Sequence, residues 1–245
     1  MTNSVAVGQS GTVAERVGAL DWHRIAGDLD ACGCATLRGV LRPEECAAQA
    51  KTYSAPDLFR SRVVMSRHGF GRGEYQYYAA PLPELVAALR TALYPPLAEI
   101  ANRWNEALKI DVRYPEDLAP FLERCHSAGQ TKPTPLLLQY QAGDYNCLHQ
   151  DLYGEHVFPL QATFLLSGPG SDFTGGEFVL TEQRPRMQTR AEVVAVGQGD
   201  GVVFPVRHRP VHGSRGIYCV AMRHGVSRIH SGQRHTLGII FHDAQ

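Results

Sequence analysis

LLLQYQAGDYNCLHQDLYGEH (136–156) is the decisive stretch of this chain. An apolar run breaks at Ala142-Gly143-Asp144 and resumes as a second short run that ends in His149-Gln150-Asp151. Short runs bounded by Gly and Asp read as strands joined by a turn. In an extended segment, residues two apart point to the same face. His149 and Asp151 therefore project side by side, an imidazole next to a carboxylate. That pair is two-thirds of a facial metal site. A second His from elsewhere would complete it and leave positions open, the arrangement suited to iron(II) and oxygen chemistry.

Beyond Pro133, short runs rich in Val, Ile, Leu, Phe and Thr alternate with Gly, Asp, Ser and Pro clusters. Strands are expected near 135–141, 146–152, 158–167, 177–182, 191–196, 201–206, 216–227 and 234–241. Short strands at this spacing predict a sandwich or jelly roll. Residues 19–133 read as mainly helical support. Asp21 is placed to cap WHRIAGDLDA, and Pro43-Glu44-Glu45 forms a first helical turn. PELVAALRTAL and LAEIANRWNEAL read as two amphipathic helices broken by Pro95-Pro96, and YPEDLAPFLERCHSAG supplies another. Residues 1–18 are small and polar and read as a mobile tail. The expectation is one domain over 19–245, mainly β with α. In it, N-terminal helices pack on one face of a double-stranded β-helix (jelly-roll) core at 134–245.

The chain has 245 residues, 44% of them hydrophobic, enough for a sizeable core. Its 24 basic and 24 acidic residues cancel. Nothing global therefore favours a polyanion, and contact with nucleic acid requires a local patch. No export signal and no run of roughly 18 apolar residues is visible, so a cytoplasmic protein with no membrane partner is expected. The six cysteines are scattered. In that compartment they read as free thiols, and no second Cys/His pair accompanies Cys32-x-Cys34 at zinc-finger spacing.

The third ligand is sought in MRHGVSRIHSGQRHTLGIIFH (222–242). On an expected strand, Tyr218, Val220, Met222, His224 and Val226 share one face, while Ile217, Cys219, Ala221 and Arg223 share the other. His224 thus ends an apolar inward row. His212 and His230 are the alternatives, the first among loop-forming residues and the second beside an expected turn at HSGQ (230–233). Arg234, Thr236, Gly238 and Ile240 share a face of the last strand. If that strand forms a hairpin with 216–227, Arg234 enters the barrel close to His224. An inward Arg needs an anion. That anion is either a structural carboxylate or the distal carboxylate of a dicarboxylate co-substrate, held bidentately.

These blocks resemble the iron(II)/2-oxoglutarate-dependent oxygenases. The resemblance runs over about 135–242, through Tyr140-x-x-Gly143, His149-x-Asp151, DFTGGEFVL (172–180), GDGVVFP (199–205), His224-x-Val226 and Gly232-x-Arg234. More closely, TPLLLQYQAGDYNCLHQDLYGEHVFPLQ, DFTGGEFVLTEQRPRMQ and the segment around RHGVSR resemble a bacterial family described as acting in oxidative demethylation of damaged nucleic acid. FRSRVVMSRHGFGRGEYQYY and YPPLAEIANRW extend that likeness into the N-terminal half. The resemblance implies iron on His149, Asp151 and His224, the 2-oxoglutarate C5 carboxylate on Arg234, and Tyr140 helping to hold that co-substrate. O2 is the third reactant. LHQD is also similar to the AlkB-type repair dioxygenases. Two positions depart from them: Leu138 stands where they have Asn, and Ile240 where they have a second Arg. The ten-residue His-to-Arg gap is closer to that of prolyl hydroxylases.

RSRVVMSRHGFGRGEYQYY (60–78) mixes Arg60, Arg62, Arg67, Arg72 and His68 with Phe70, Tyr75, Tyr77 and Tyr78. It reads as a β-hairpin with a Gly-rich tip beside the barrel mouth, or as a surface that holds a phosphate backbone and stacks a base. Arg67, Arg72 and Tyr75 are the substrate-side candidates. The resulting expectation is an Fe(II)- and 2-oxoglutarate-dependent dioxygenase that hydroxylates a C–H bond, with nucleic acid open as the substrate. Its rivals are a hydroxylase of a small molecule or protein side chain and a non-catalytic, cupin-like metal-binding barrel.

Overall fold

The computed structural model describes residues 11–151, 154–214 and 216–245. Five α-helices and fourteen strands, with three short 3-10 turns, follow in chain order among these residues. The helices are α1 (Val13–Gly18), α2 (Trp22–Cys32), α3 (Pro43–Lys51), α4 (Glu84–Ala107) and α5 (Leu118–Ser127). The N-terminal strands are β1 (Ala35–Leu37), β2 (Phe59–Val64), β3 (Gly71–Arg72) and β4 (Glu74–Tyr78). Then come β5 (Leu136–Gln141), β6 (Tyr145–His149), β7 (Leu160–Leu165), β8 (Phe173–Gly175) and β9 (Phe178–Gln183). The last are β10 (Arg190–Val194), β11 (Gly201–Pro205), β12 (His208–Gly213), β13 (Gly216–Val226) and β14 (Ile229–Ile239).

The strands build two antiparallel sheets. The major sheet runs β1-β11-β7-β14-β5-β4-β2, with β8 beside β14. The minor sheet runs β10-β9-β13-β6-β3, with β12 beside β13. Alternation along the strands divides the major sheet's residues between two environments. Leu137, Phe164, Leu237 and Ile239 enter the core shared with the helices. Leu136, Leu138, Thr236, Gly238 and Ile240 face a cavity between the sheets. The helices cover the outer side of the major sheet, so the cavity floor is packed on its far side. No helix among the described residues is long and apolar enough to cross a membrane.

The structure corrects four local expectations. Residues 13–18 are not a tail: Thr12 and Glu15 form a capping box, Val13 and Val17 join the core, and Arg16 pairs with Glu45. Residues 1–10 lie outside the described residues. Pro95 and Pro96 do not split α4, which continues through them. Each proline forfeits a backbone hydrogen bond, but Leu93, Tyr94, Leu97 and Ala98 are buried on either side and hold one axis. HSGQ is not a turn. Residues 230–233 belong to β14, and Gly232 is the point where the β8 backbone approaches so closely that a Cβ would strike the Asp172 carbonyl. Nor do β13 and β14 form a hairpin: the chain crosses between sheets at Ser227-Arg228, and the two strands lie in opposite sheets.

The 59–78 segment is a hairpin, as expected, of β2 with β4. It does more than extend the major sheet through β4–β5. The short β3 within it pairs with β6 of the minor sheet, and the Cys147 N–H donates to the Phe70 carbonyl at 2.9 Å. The segment therefore straps the two sheets together at one side of the cavity.

Candidate active site

His149 and His224 are held by strand register. They are direct cross-strand partners on β6 and β13, with ring centroids 4.2 Å apart. A bulge lies next to this pair, because the register shifts between His224 and Val226. It leaves Cys147 and Leu148 both exposed while Asn146 and His149, three apart, both line the cavity. Asp151 follows the end of β6. Its Oδ1 lies 3.5 Å from His149 Nε2 and its Oδ2 3.2 Å from His224 Nε2. Among the described residues, these three form the one group of metal-ligating side chains, with ligand atoms within 4.8 Å of one another.

The electrostatics suit a cation. Burial alone would raise the Asp151 carboxyl, but the His224 and His149 imidazoles hold it well below the usual carboxylate range. Burial pushes the His224 imidazole down, toward its neutral, metal-binding form. Burial also opposes charge on His149, but Asp151 and the Cys147 carbonyl more than offset this and raise it. His149 Nδ1 donates to the Cys147 carbonyl at 2.8 Å, which turns Nε2 toward Asp151. Two imidazole nitrogens and a carboxylate at one side of a cavity fit an iron(II) site of the 2-His-1-carboxylate kind.

The cavity measures about 270 Å³. Arg234 enters it from β14, directly opposite Tyr140 on β5. The Arg234 side chain is 3% exposed, and among the described residues it has no carboxylate within ion-pair distance. Its Nη1 donates to Thr236 Oγ1 at 2.5 Å, and its Nε has no hydrogen-bond partner. Its Cζ lies 5.7 Å from the Tyr140 ring centroid and 5.8 Å from that of Phe173. Burial lowers its pKa to about 10, partly offset by Tyr140 and Glu177, so it remains charged at neutral pH. A buried cation without a carboxylate is costly. Among the described residues the structural-carboxylate alternative therefore finds no partner for Arg234. Tyr140 is fully buried, pushed up to about 12 by burial, and its hydroxyl accepts from Asn146 Nδ2 at 3.4 Å.

The other candidates separate. Tyr75 lines the cavity with Tyr77 and Phe70. Arg67 is exposed at the strap, outside the cavity lining, and Arg72 lies in a polar groove 3.9 Å from Asp144. His212 is on β12 rather than in a loop, and it points to solvent like His230 on β14. Leu138 and Ile240 both line the cavity, so the departures from the AlkB pattern make its wall more apolar. Sequence reasoning missed Gln161. It is buried on β7 and donates to Asp151 Oδ2 at 2.9 Å. A lone amide in the apolar run LQATFL was the available signal.

Residues 73–244 match the sequence model of a family described as "Oxygenase, catalysing oxidative methylation of damaged DNA". An uncharacterized protein of Mycobacterium tuberculosis, in strains CDC 1551 and H37Rv, is 43% identical over 229 residues, covering 94% of this chain and 97% of its own. A prolyl hydroxylase of Trichoplax adhaerens, solved with a hypoxia inducible factor peptide fragment, superposes with a TM-score of 0.56 at 12% identity, over 96% of this chain and 95% of that one. An oxidoreductase of the 2OG-Fe(II) oxygenase family from Burkholderia pseudomallei gives 0.53 at 15% identity, over 92% and 94%. At these identities the likeness to the solved structures is one of fold. The sequence match spans most of the chain and takes in His149, Asp151, His224 and Arg234, and on that ground the protein belongs to this oxygenase family, as an enzyme with the fold of the 2-oxoglutarate- and iron(II)-dependent oxygenases.

Proposed function

We propose that this oxygenase is an Fe(II)- and 2-oxoglutarate-dependent dioxygenase with a double-stranded β-helix core, acting on a methylated base of nucleic acid. The observation that carries the reading is Arg234, a buried guanidinium with no carboxylate at ion-pair distance among the described residues, in the same cavity as a His-Asp-His cluster. His149, Asp151 and His224 would hold the iron. Arg234 and Thr236 would bind the distal carboxylate of 2-oxoglutarate, with Tyr140 packed beside them. When bound, iron, 2-oxoglutarate and O2 supply oxidation of a C–H bond coupled to release of succinate and CO2. Tyr75, Tyr77, Leu136 and Leu138 form an apolar wall that excludes water and orients the substrate carbon. Where that carbon is an N-methyl group, hydroxylation is followed by loss of formaldehyde, the outcome that favours nucleic-acid demethylation. The family description, which names damaged DNA, supports this substrate class.

A second reading, a hydroxylase of a small molecule or protein side chain, draws on the apolar Leu138 and Ile240 in the cavity wall. The deciding experiment incubates anaerobically purified protein with iron(II), 2-oxoglutarate, O2 and candidate substrates. Methylated single- and double-stranded oligonucleotides are compared with small molecules and peptides. Succinate and formaldehyde produced only with methylated oligonucleotides support the first reading. Succinate without formaldehyde, driven by a small molecule or peptide, replaces it with the second.

A further inference from the structure

His149 and His224 are aimed by cross-strand pairing, whereas Asp151 lies beyond the end of β6, outside any ladder. Its carboxylate nevertheless has a defined orientation, and a side chain from the opposite sheet helps to set it. Gln161 on β7 reaches across the cavity, and its Nε2 donates to Asp151 Oδ2 at 2.9 Å. Both residues are buried, at 4% and 8% exposure, so water does not compete freely for this bond. A carboxylate only accepts, which fixes the amide with its nitrogen toward Asp151. Gln161 is itself anchored: its Cα pairs with Phe204 on β11, and the Phe204 ring packs 4.6 Å from the His224 ring.

We propose that Gln161 is a positioning residue that commits Asp151 to binding metal through one oxygen, Oδ1. The inference rests on the iron(II) and 2-oxoglutarate reading. Its importance comes from counting positions around an octahedral ion. Two imidazoles and one carboxylate oxygen leave three positions. A co-substrate that chelates takes two, and the third stays open for O2. If both Asp151 oxygens bound the metal, that third position would be lost. Both oxygens face an imidazole, Oδ1 at 3.5 Å from His149 Nε2 and Oδ2 at 3.2 Å from His224 Nε2, but only Oδ2 accepts the Gln161 amide, and that hydrogen bond opposes chelation by the pair. Gln161 thus preserves an open coordination site without touching the metal, as outer partners of ligating carboxylates do.

The test uses the full chain, stripped of metal and titrated with Mn(II). Gln161→Met keeps the side-chain length and removes the donor. Mn(II) affinity should fall by roughly 10–100-fold. Water-proton relaxation of the Mn(II) complex with 2-oxoglutarate should show about one exchangeable water in the wild type and almost none in the variant. A purely structural glutamine would not change that water count. Gln161→Asn withdraws the amide by one methylene and adds no bulk, so it must give the same two changes if the Met variant folds poorly. Unchanged affinity and water count in a folded variant overturn the role of Gln161 alone. Failure of the wild type to bind Mn(II) overturns the metal-site reading and this inference together.

Discussion

His149 and His224 face one another across β6 and β13, and the Asp151 carboxylate bridges them with one oxygen toward each Nε2. Without a cation, the carboxylate is the nearest balance for either ring. With a cation, the two Nε2 atoms and one of the two carboxylate oxygens would converge on it. A facial triad has no spare ligand. His149→Ala, Asp151→Ala and His224→Ala should each lose Mn(II) or Fe(II) binding and essentially all succinate production. His212→Ala should retain both, because His212 points to solvent on β12. Calorimetric metal titration of the four variants is decisive, and wild-type binding by His224→Ala would move the third ligand elsewhere.

Arg234 should act on 2-oxoglutarate and not on iron. A hydrogen bond to a charged group contributes about 1.5–3 kcal/mol. Losing a bidentate pair therefore costs roughly two to four decades of affinity. Arg234→Ala should raise the 2-oxoglutarate KM by that range while leaving iron affinity within a few-fold of wild type. Arg234→Lys should recover part of the loss, because it restores charge without the two-pronged geometry. An unchanged KM in the Ala variant would remove the co-substrate role from Arg234.

Much of this site is legible along single strands. Alternation alone places His224 in a buried row with Val220 and Met222, and Arg234 in line with Thr236, Gly238 and Ile240; of these, His224, Arg234, Thr236, Gly238 and Ile240 line the cavity. What fails is pairing between strands. Local pattern suggests a β13–β14 hairpin, whereas the chain changes sheets at Ser227-Arg228, and tertiary pairing decides that. Gly232 reads as a turn because the backbone it accommodates, β8, is some 60 residues away in sequence. Gln161 stays hidden for the same reason: its meaning lies in Asp151, which reaches it across the cavity from the other sheet. Pro95 and Pro96 mislead because propensity is local, while the burial of Tyr94 and Leu97 that overrides it is not.

The strap should contribute to substrate binding through its aromatics more than through its arginines. Tyr75 lines the cavity, whereas Arg67 and Arg72 lie outside its lining. Tyr75→Ala should depress coupled substrate oxidation by about ten-fold or more, the loss expected for one stacked ring of about 1–3 kcal/mol, and spare uncoupled 2-oxoglutarate decay. Arg67→Ala with Arg72→Ala should leave turnover of a neutral small substrate unchanged. For an oligonucleotide, the double variant should bind more weakly and show a shallower salt dependence than wild type. Equal salt slopes would show that neither arginine meets a phosphate.

His242 makes the fold sensitive to acid. It is completely buried, its Nδ1 accepts from the Phe158 N–H at 3.2 Å, and burial together with Arg90 pushes its pKa down to about 4. In the unfolded chain the same group titrates near 6.5. Between these values the unfolded state binds a proton that the folded state refuses. Stability is therefore intact above about pH 6.5, falls as pH drops toward 4, and loses nothing further from this group below that. The depression amounts to about 2.5 kcal/mol at pH 4.5. Urea unfolding at pH 7 and 4.5 should show wild type losing about that much more than His242→Gln, which keeps an acceptor for Phe158 but cannot protonate. Equal losses in the two proteins would mean that His242 takes up its proton in the folded state as readily as in the unfolded one.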